Sequence, residues 1–423
     1  MNNALAELIR LESGLERAPV PKIALFNVKY SPNLGDGLLA ECLECEIRSR
    51  LGQAHVRSID LAGRLWYETG RADRALLLSI LHASPLFIRQ AASKVVLGSL
   101  LSRKLRPLWR ENLRGVDAVI VGGGNLLSDS DLNFPLKLRA ALAAARELAT
   151  PVGVYALGAS DNWSAQGCAM FAEAFGPTPL FFASVRDARS AAIWRQRLGP
   201  IGVAAPEIVY DPGLLAYAHF AAPARPARAS PCVGLGIMHP TTIKYHSSRS
   251  NVTAAQQTKW TLGFVNACLA QGWTMRLFTN GGSEDQGYLN SLKPTLAALN
   301  SAGRVGVETR FATPGELARF IANLDLLYAH RLHANIAAYS YAVPHIGFSW
   351  DAKLKSFLAR IGRAECLVTP GVETIEQAVQ LGRRQLQTGV DRNQRLAVIR
   401  QAHKDVSRLV DKMQTQLRQR TRA

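Results

Sequence analysis

Short aliphatic and β-branched runs alternate with helical stretches along this chain, and that alternation restricts the fold more than any other feature. KIALFNV (22–28), VDAVIVGGG (116–124), PVGVYALGAS (151–160) and PLFFASVRD (179–187) each read as a buried strand leading into a loop. A helical pattern such as PLKLRAALAAARELA (135–149) follows most of them. Parallel neighbours need a crossover, usually helical, so this order predicts a doubly wound parallel sheet. AAPARPARASP (221–231) breaks the pattern, and it resumes through CVGLGIM, WTMRLFTN, RVGVET, LDLLYA and VPHIGFS. The expected fold class is therefore α/β with two domains, residues 1–220 and 232–390, joined by a linker at 221–231. A chain of 423 residues, 48% hydrophobic, is long enough to bury two cores.

The net charge is +18. Nucleic acid, an anionic membrane surface or acidic small molecules could each explain such an excess. Residues 71–110 hold eight basic side chains and one acid, inside an insertion spanning about 63–112. Residues 391–423 hold nine basic side chains and three acids, with Ile399, Val406, Leu409, Val410, Met413 and Leu417 on one helical face. Both segments read as basic amphipathic helices. Such helices either rest on anionic lipid or dock their apolar stripe on the protein and leave the basic face solvated. Nucleic acid is not expected as a partner, since no binding motif or basic–aromatic platform occurs. No apolar run is long enough for a signal peptide or a spanning helix, and the six cysteines are scattered as reduced thiols would be. A cytoplasmic location is expected, with peripheral association at the inner face of the plasma membrane.

Doubly wound sheets bind ligands beyond the carboxyl ends of their strands, so the strand-end residues are the candidates. NLGDGLL contributes Asn33 and Asp36. It reads either as a turn in which Asp36 caps a helix and the glycines take positive φ, or as a carboxylate and free amides facing the cleft. VIVGGGNLL contributes Gly123, Gly124 and Asn125, able to let backbone approach a ligand or to form an anion nest, though it is neither a Walker A loop nor a GxGxxG fingerprint. Arg186 in ASVRDARS either pairs with Asp187 at the surface or holds a carboxylate or phosphate through paired hydrogen bonds. Turn formation accounts for Asp211 and Pro212 in YDPGLL. AHRLHANIAAYSYAVPHIGFSWDAKL sets His330, Arg331 and His333 at one strand-to-helix junction and Trp350, Asp351 and Lys353 at the next. Cationic groups at two neighbouring strand ends, one in a first helical turn, suit a small multiply charged anion. No metal site is expected, because Cys42 and Cys45 lack a second pair and HRLH lacks an acidic third ligand.

In this order, over residues 22–358, the five motifs resemble the polysaccharide pyruvyl transferase family. The resemblance implies a glycosyltransferase-B-like pair of Rossmann-like domains, here with basic amphipathic helical additions. It implies transfer of pyruvate from phosphoenolpyruvate to two hydroxyls of a sugar, forming a cyclic ketal and releasing phosphate. No cofactor is implied beyond that donor substrate, and the implied acceptor is a polyprenyl-linked glycan. Carried onto this chain, it places Arg331 and His333 at the donor, adds Arg186, and sets Lys353 against the departing phosphate. His333 is then the expected acid, kept protonated by a bound dianion. Asp36 is the expected base for the acceptor hydroxyl, with Asn33 beside it; Gly123, Gly124 and Asn125 are expected on the donor side. His330 stands where the family has a small residue. Two other functions suit the same architecture: a nucleotide-sugar-dependent glycosyltransferase and a non-catalytic scaffold of a polysaccharide assembly complex.

Overall fold

The computed structural model describes residues 20–67, 86–240, 253–300, 303–349 and 351–422. Trp350 and the first part of the basic insertion, with Arg71 and Arg74, lie outside them.

Two parallel sheets of six strands form among the described residues. The first holds β1 (Lys22–Asn27), β2 (His55–Asp60), β3 (Ala118–Gly122), β4 (Val152–Leu157), β5 (Leu180–Val185) and β6 (Glu207–Ile208), in the order β2-β1-β3-β4-β5-β6. The second holds β7 (Cys232–Gly236), β8 (Thr274–Phe278), β9 (Val305–Val307), β10 (Leu326–Ala329), β11 (His345–Phe348) and β12 (Leu367–Val368), in the order β12-β11-β10-β7-β8-β9. The chain reverses its winding between β1 and β3 and again between β7 and β10. Such switch points leave a crevice at the carboxyl ends of the strands. β3 and β4 are buried at every position, as continuous apolar runs covered by helices on both faces should be. Sequence reading passes over β2 and β12. Both are edge strands, and neither offers a continuous apolar run.

Seven helices bear on the cleft and on the basic segments: α1 (Leu34–Leu51), α2 (Leu86–Leu100), α3 (Arg106–Leu113), α4 (Ser283–Leu299), α5 (Leu332–Ser340), α6 (Ala352–Arg360) and α7 (Arg392–Arg422). Residues 221–231 carry neither helix nor strand and lead from the first sheet to the second. α7 then returns to the first. Its Ile399, Ala402, Val406, Leu409, Val410 and Met413 share a buried core with Ile23, Leu25, Tyr155 and Phe182 of that sheet. Asp405, fully buried in this packing, accepts the Tyr210 N–H at 2.7 Å. Arg395 donates to the Tyr339 carbonyl at 3.0 Å, which ties the helix to the second sheet as well. The apolar stripe of the tail is thus docked on the protein, leaving the basic face outward. None of the described helices is long and apolar enough to cross a membrane.

An aspartate at Val406 would bury an unpaired carboxylate in the core of the first sheet. Val406→Asp is therefore expected to lower stability by more than about 3 kcal/mol in urea titration. Unchanged stability would mean that the stripe is not packed there in solution.

Candidate active site

Asn33 caps α1, its Oδ1 accepting the Gly35 N–H at 3.3 Å. Asp36 consequently lies in the first turn rather than at the cap, and neither Gly35 nor Gly37 has positive φ. This corrects the turn expected for NLGDG. The glycines instead make room. A Cβ at position 35 would stand 2.6 Å from His333 Cβ, and one at 37 would stand 2.7 Å from both Pro314 Cγ and Tyr67 Oη. The first turn of α1 can therefore lie directly against the first turn of α5, across the cleft. One backbone bond, from Leu34 N–H to the Asn280 carbonyl at 2.7 Å, joins the same two bodies.

The cations gather around that contact, and each is held by its own acid. Arg186, buried at the end of β5, has Nε 3.5 Å from Asp187 Oδ2 and Nη1 4.0 Å from Asp211 Oδ2. Its Nη2 lies 3.5 Å from Asn125 Oδ1, and the Asn125 amide donates to Ser160 Oγ at 2.9 Å. A Cβ at position 158 would stand 2.6 Å from the same guanidinium, so Gly158 lets it lie across the end of β4. Lys353, in the first turn of α6, stands 3.6 Å from Asp351 Oδ2. Asp351 also caps that helix. Arg331 caps α5 by position and gives two N–H groups to Asp285 Oδ2, at 3.0 and 2.5 Å. Arg360 of α6 donates to the carbonyls of Arg186 and Val209 and stacks on the Tyr210 ring, fixing the end of β5 from the opposite domain.

His333 lies in the middle of this charge. Its Nδ1 is 3.7 Å from Asp36 Oδ1, and its buried Nε2 has no hydrogen-bond partner. Burial, reinforced by Arg186, Lys353 and Arg331, pushes the imidazole down to about 3. Burial pushes the Asp36 carboxyl up to about 6, although a hydrogen bond from Ser31 and the charges of Arg331, Arg64 and Arg186 pull the other way. Burial also lowers Lys353, against the attraction of Asp351. Burial, reinforced by the three cations, thus keeps His333 neutral near pH 7. An imidazolium there needs an anion to offset them.

The structure brings together Asp36, Arg186, Arg331, His333, Lys353 and Asn125. It gives the other expected residues different work. Gly123 and Gly124 have φ of 77° and 78°, but the Gly123 N–H is spent on the Tyr155 carbonyl at 3.0 Å and a Cβ there would meet Leu39. Gly123 thus seats α1 on the sheet, while the Gly124 carbonyl accepts the Gly158 N–H at 2.8 Å. Asn33 is occupied as the cap, and His330 is buried with its ring against Phe348. Sequence reasoning missed Asp285, Asp211 and Arg360. Asp285 sits in an ordinary helical pattern 46 residues before its arginine, so the sequence carried no sign of it. Asp211 hid behind its turn role, which it does fulfil by accepting the Gly213 N–H at 2.9 Å. Among the described residues no group of acids, histidines and cysteines could hold a metal ion.

Several solved structures share the fold. S. aureus MnaA in its UDP co-structure is 12% identical with a TM-score of 0.52, over 94% of this chain and 97% of that one. The UDP-GlcNAc 2-epimerase of Methanocaldococcus jannaschii, in complex with UDP-GlcNAc and UDP, is 10% identical with a TM-score of 0.53, over 92% and 99%. That of Neisseria meningitidis, bound to UDP-GlcNAc, is 10% identical with a TM-score of 0.51, over 94% and 100%. At such identities the likeness shows the fold alone, the glycosyltransferase-B-like pair of Rossmann-like domains. No curated protein sequence matches this chain. The sequence model of the polysaccharide pyruvyl transferases matches residues 33–352, from the α1 cap through the ends of β3, β5 and β10 to the start of α6. The chain belongs to the polysaccharide pyruvyl transferase family.

Proposed function

We propose that this protein transfers pyruvate from phosphoenolpyruvate to two hydroxyls of a sugar, within a lipid-linked polysaccharide repeat unit, to give a cyclic ketal. The observation that carries the proposal is the buried His333 Nε2, free of hydrogen bonds, at the meeting point of Arg186, Arg331 and Lys353. Phosphoenolpyruvate brings a carboxylate and a phosphate on three carbons, and two guanidiniums with an ammonium match those groups. Its charge offsets the cations that, together with burial, hold the imidazole neutral, so donor binding itself raises the proton affinity of His333. His333 then protonates the methylene carbon. The cationic centre left at C2 takes the oxygen of one sugar hydroxyl, whose proton passes to a base; Asp36, 3.7 Å from the imidazole, fills that role. Phosphate leaves beside Lys353, taking its bonding electrons and the proton of the second hydroxyl, whose oxygen closes the ring. Asn125, 3.5 Å from Arg186 Nη2, lies with it on the donor side. Nucleotide-sugar transfer would place a diphosphate in the same cleft, and the assay below separates the two.

Incubation with phosphoenolpyruvate and candidate glycans should release inorganic phosphate and add a pyruvyl ketal to the acceptor mass. A nucleotide product from a nucleotide sugar, with no phosphate from phosphoenolpyruvate, would replace the proposal with glycosyl transfer. His333→Gln should lower kcat by roughly 10²–10⁴-fold and leave donor binding within severalfold of wild type. Undiminished turnover removes His333 as the acid.

Asp36 supplies a test in stability. Its folded-state carboxyl titrates near 6, above the ordinary value of 3.8. The folded protein thus holds that proton more tightly than the unfolded chain, an advantage complete below about pH 4 and lost as pH rises through 6. At pH 8 the buried carboxylate costs roughly 2–3 kcal/mol. Asp36→Asn should therefore stabilise the protein at pH 8, with a gain that shrinks toward pH 4. A pH-independent difference in urea titrations would show that Asp36 is not held in a charge-disfavouring site.

A further inference from the structure

The described helices of the basic insertion stand apart from the cleft residues named above, and their two faces differ sharply. α2, a π-helical turn at Leu101–Leu105 and α3 form one nearly continuous arm. Leu101, Leu105, Trp109 and Leu113 bury its inner face in the core of the first sheet, Trp109 edge-on to Phe26 at 5.5 Å. The arm also carries Val95, 74% exposed, and Val96, 63% exposed, and along it Lys94, Arg103, Lys104 and Arg106 are exposed. The loop after β2 lies alongside, since position 63 backs onto Leu105. It adds Leu65 and Trp66, 64% and 60% exposed. On the described outer surface of this arm the one acid is Glu111. The basic tail offers no such combination, because α7 has buried its apolar stripe.

We infer that this arm and loop, presenting exposed Leu65, Trp66, Val95 and Val96 together with exposed Lys94, Arg103, Lys104 and Arg106, dock the protein on an anionic lipid surface. A scatter of exposed aliphatic residues is ordinary, but among the described residues the four most exposed large apolar ones save Val372 fall on one arm and its neighbouring loop. Aliphatic side chains sink into the headgroup boundary, tryptophan settles at that depth, and lysine and arginine remain with the phosphates. A protein partner would need an acidic surface with matching apolar pockets, whereas an anionic bilayer supplies charge and apolar depth over any area. The position also fits the chemistry. Tyr67, next to Trp66, donates to Glu41 of α1 at 2.7 Å and packs at Gly37, adjacent to Asp36. Docking by this face would set the mouth of the cleft at the lipid surface; only that last consequence rests on the pyruvyl transfer proposed above.

Vesicles of phosphatidylcholine with and without phosphatidylglycerol provide the test. The full chain should sediment with the anionic vesicles alone. The triple variant Trp66→Ser, Val95→Asp, Val96→Asp and the triple variant Lys94→Glu, Arg103→Glu, Lys104→Glu should each bind at least about 100-fold more weakly. Both should keep the wild-type Tm, since every altered side chain is exposed. Phosphate release with a soluble acceptor needs no vesicle, so loss of docking and loss of the transfer proposal are separate results. Docking by this face is overturned if wild type stays in solution with anionic vesicles at low salt, or if the variants bind as wild type does. It is also overturned if wild type is a dimer and the apolar variant a monomer, because a second copy then covers the face.

Discussion

The cleft depends on one close approach. Position 35 carries no side chain because His333, from the other domain, already occupies the space a Cβ would need. Two helix starts, α1 and α5, therefore touch at their first turns, where each presents the positive end of its dipole. That contact shields His333 and, in larger part, Asp36 from water, and the opposed shifts of their proton affinities follow from it. Any larger residue at 35 would separate the domains and rehydrate both groups, even if every charged side chain stayed in place.

The same enclosure explains the acids. Three cations packed this closely would repel one another in a low-dielectric cleft. Asp285 beside Arg331, Asp351 beside Lys353, and Asp187 with Asp211 beside Arg186 hold them in position. None of these acids lies between the cations and His333 Nε2 in a way that gives that nitrogen a partner. The balance suits a group that must bind a dianion and then release another. Cations lacking acid partners would disfavour their own burial, and cations fully paired would have no N–H left to offer.

The sequence made the architecture and the cations legible because both leave local marks. Continuous apolar runs announced the central strands, and the change from strand to helical pattern put Arg186, Arg331, His333 and Lys353 at the junctions. What it concealed was pairing at long range. Asp285 and Arg331 meet only because β7, β8 and β10 lie side by side, so neither residue's neighbours in the chain betray the other. The glycines misled for a related reason. A glycine needed for positive φ and one needed for close packing are written with the same letter, and NLGDG proved to be the second kind.

The two basic segments carry the sharpest form of this ambiguity. By composition they are alike, each a helix with an apolar stripe among lysines and arginines. α7 spends its stripe on the first sheet because the chain, returning from the second domain, finds the faces of β4 and β5 uncovered. The insertion also spends a stripe, Leu101 through Leu113 at every fourth position, but it has aliphatic residues to spare. At 3.6 residues per turn such a stripe drifts by about 40° per step, and the wider π-turn at Leu101–Leu105 takes up part of the drift while Leu101 and Leu105 stay inward. Val95 and Val96, about one and a half turns before the stripe begins, are left exposed. Amphipathicity alone therefore does not say what a helix is amphipathic toward; the number of apolar residues beyond those the core can accept does.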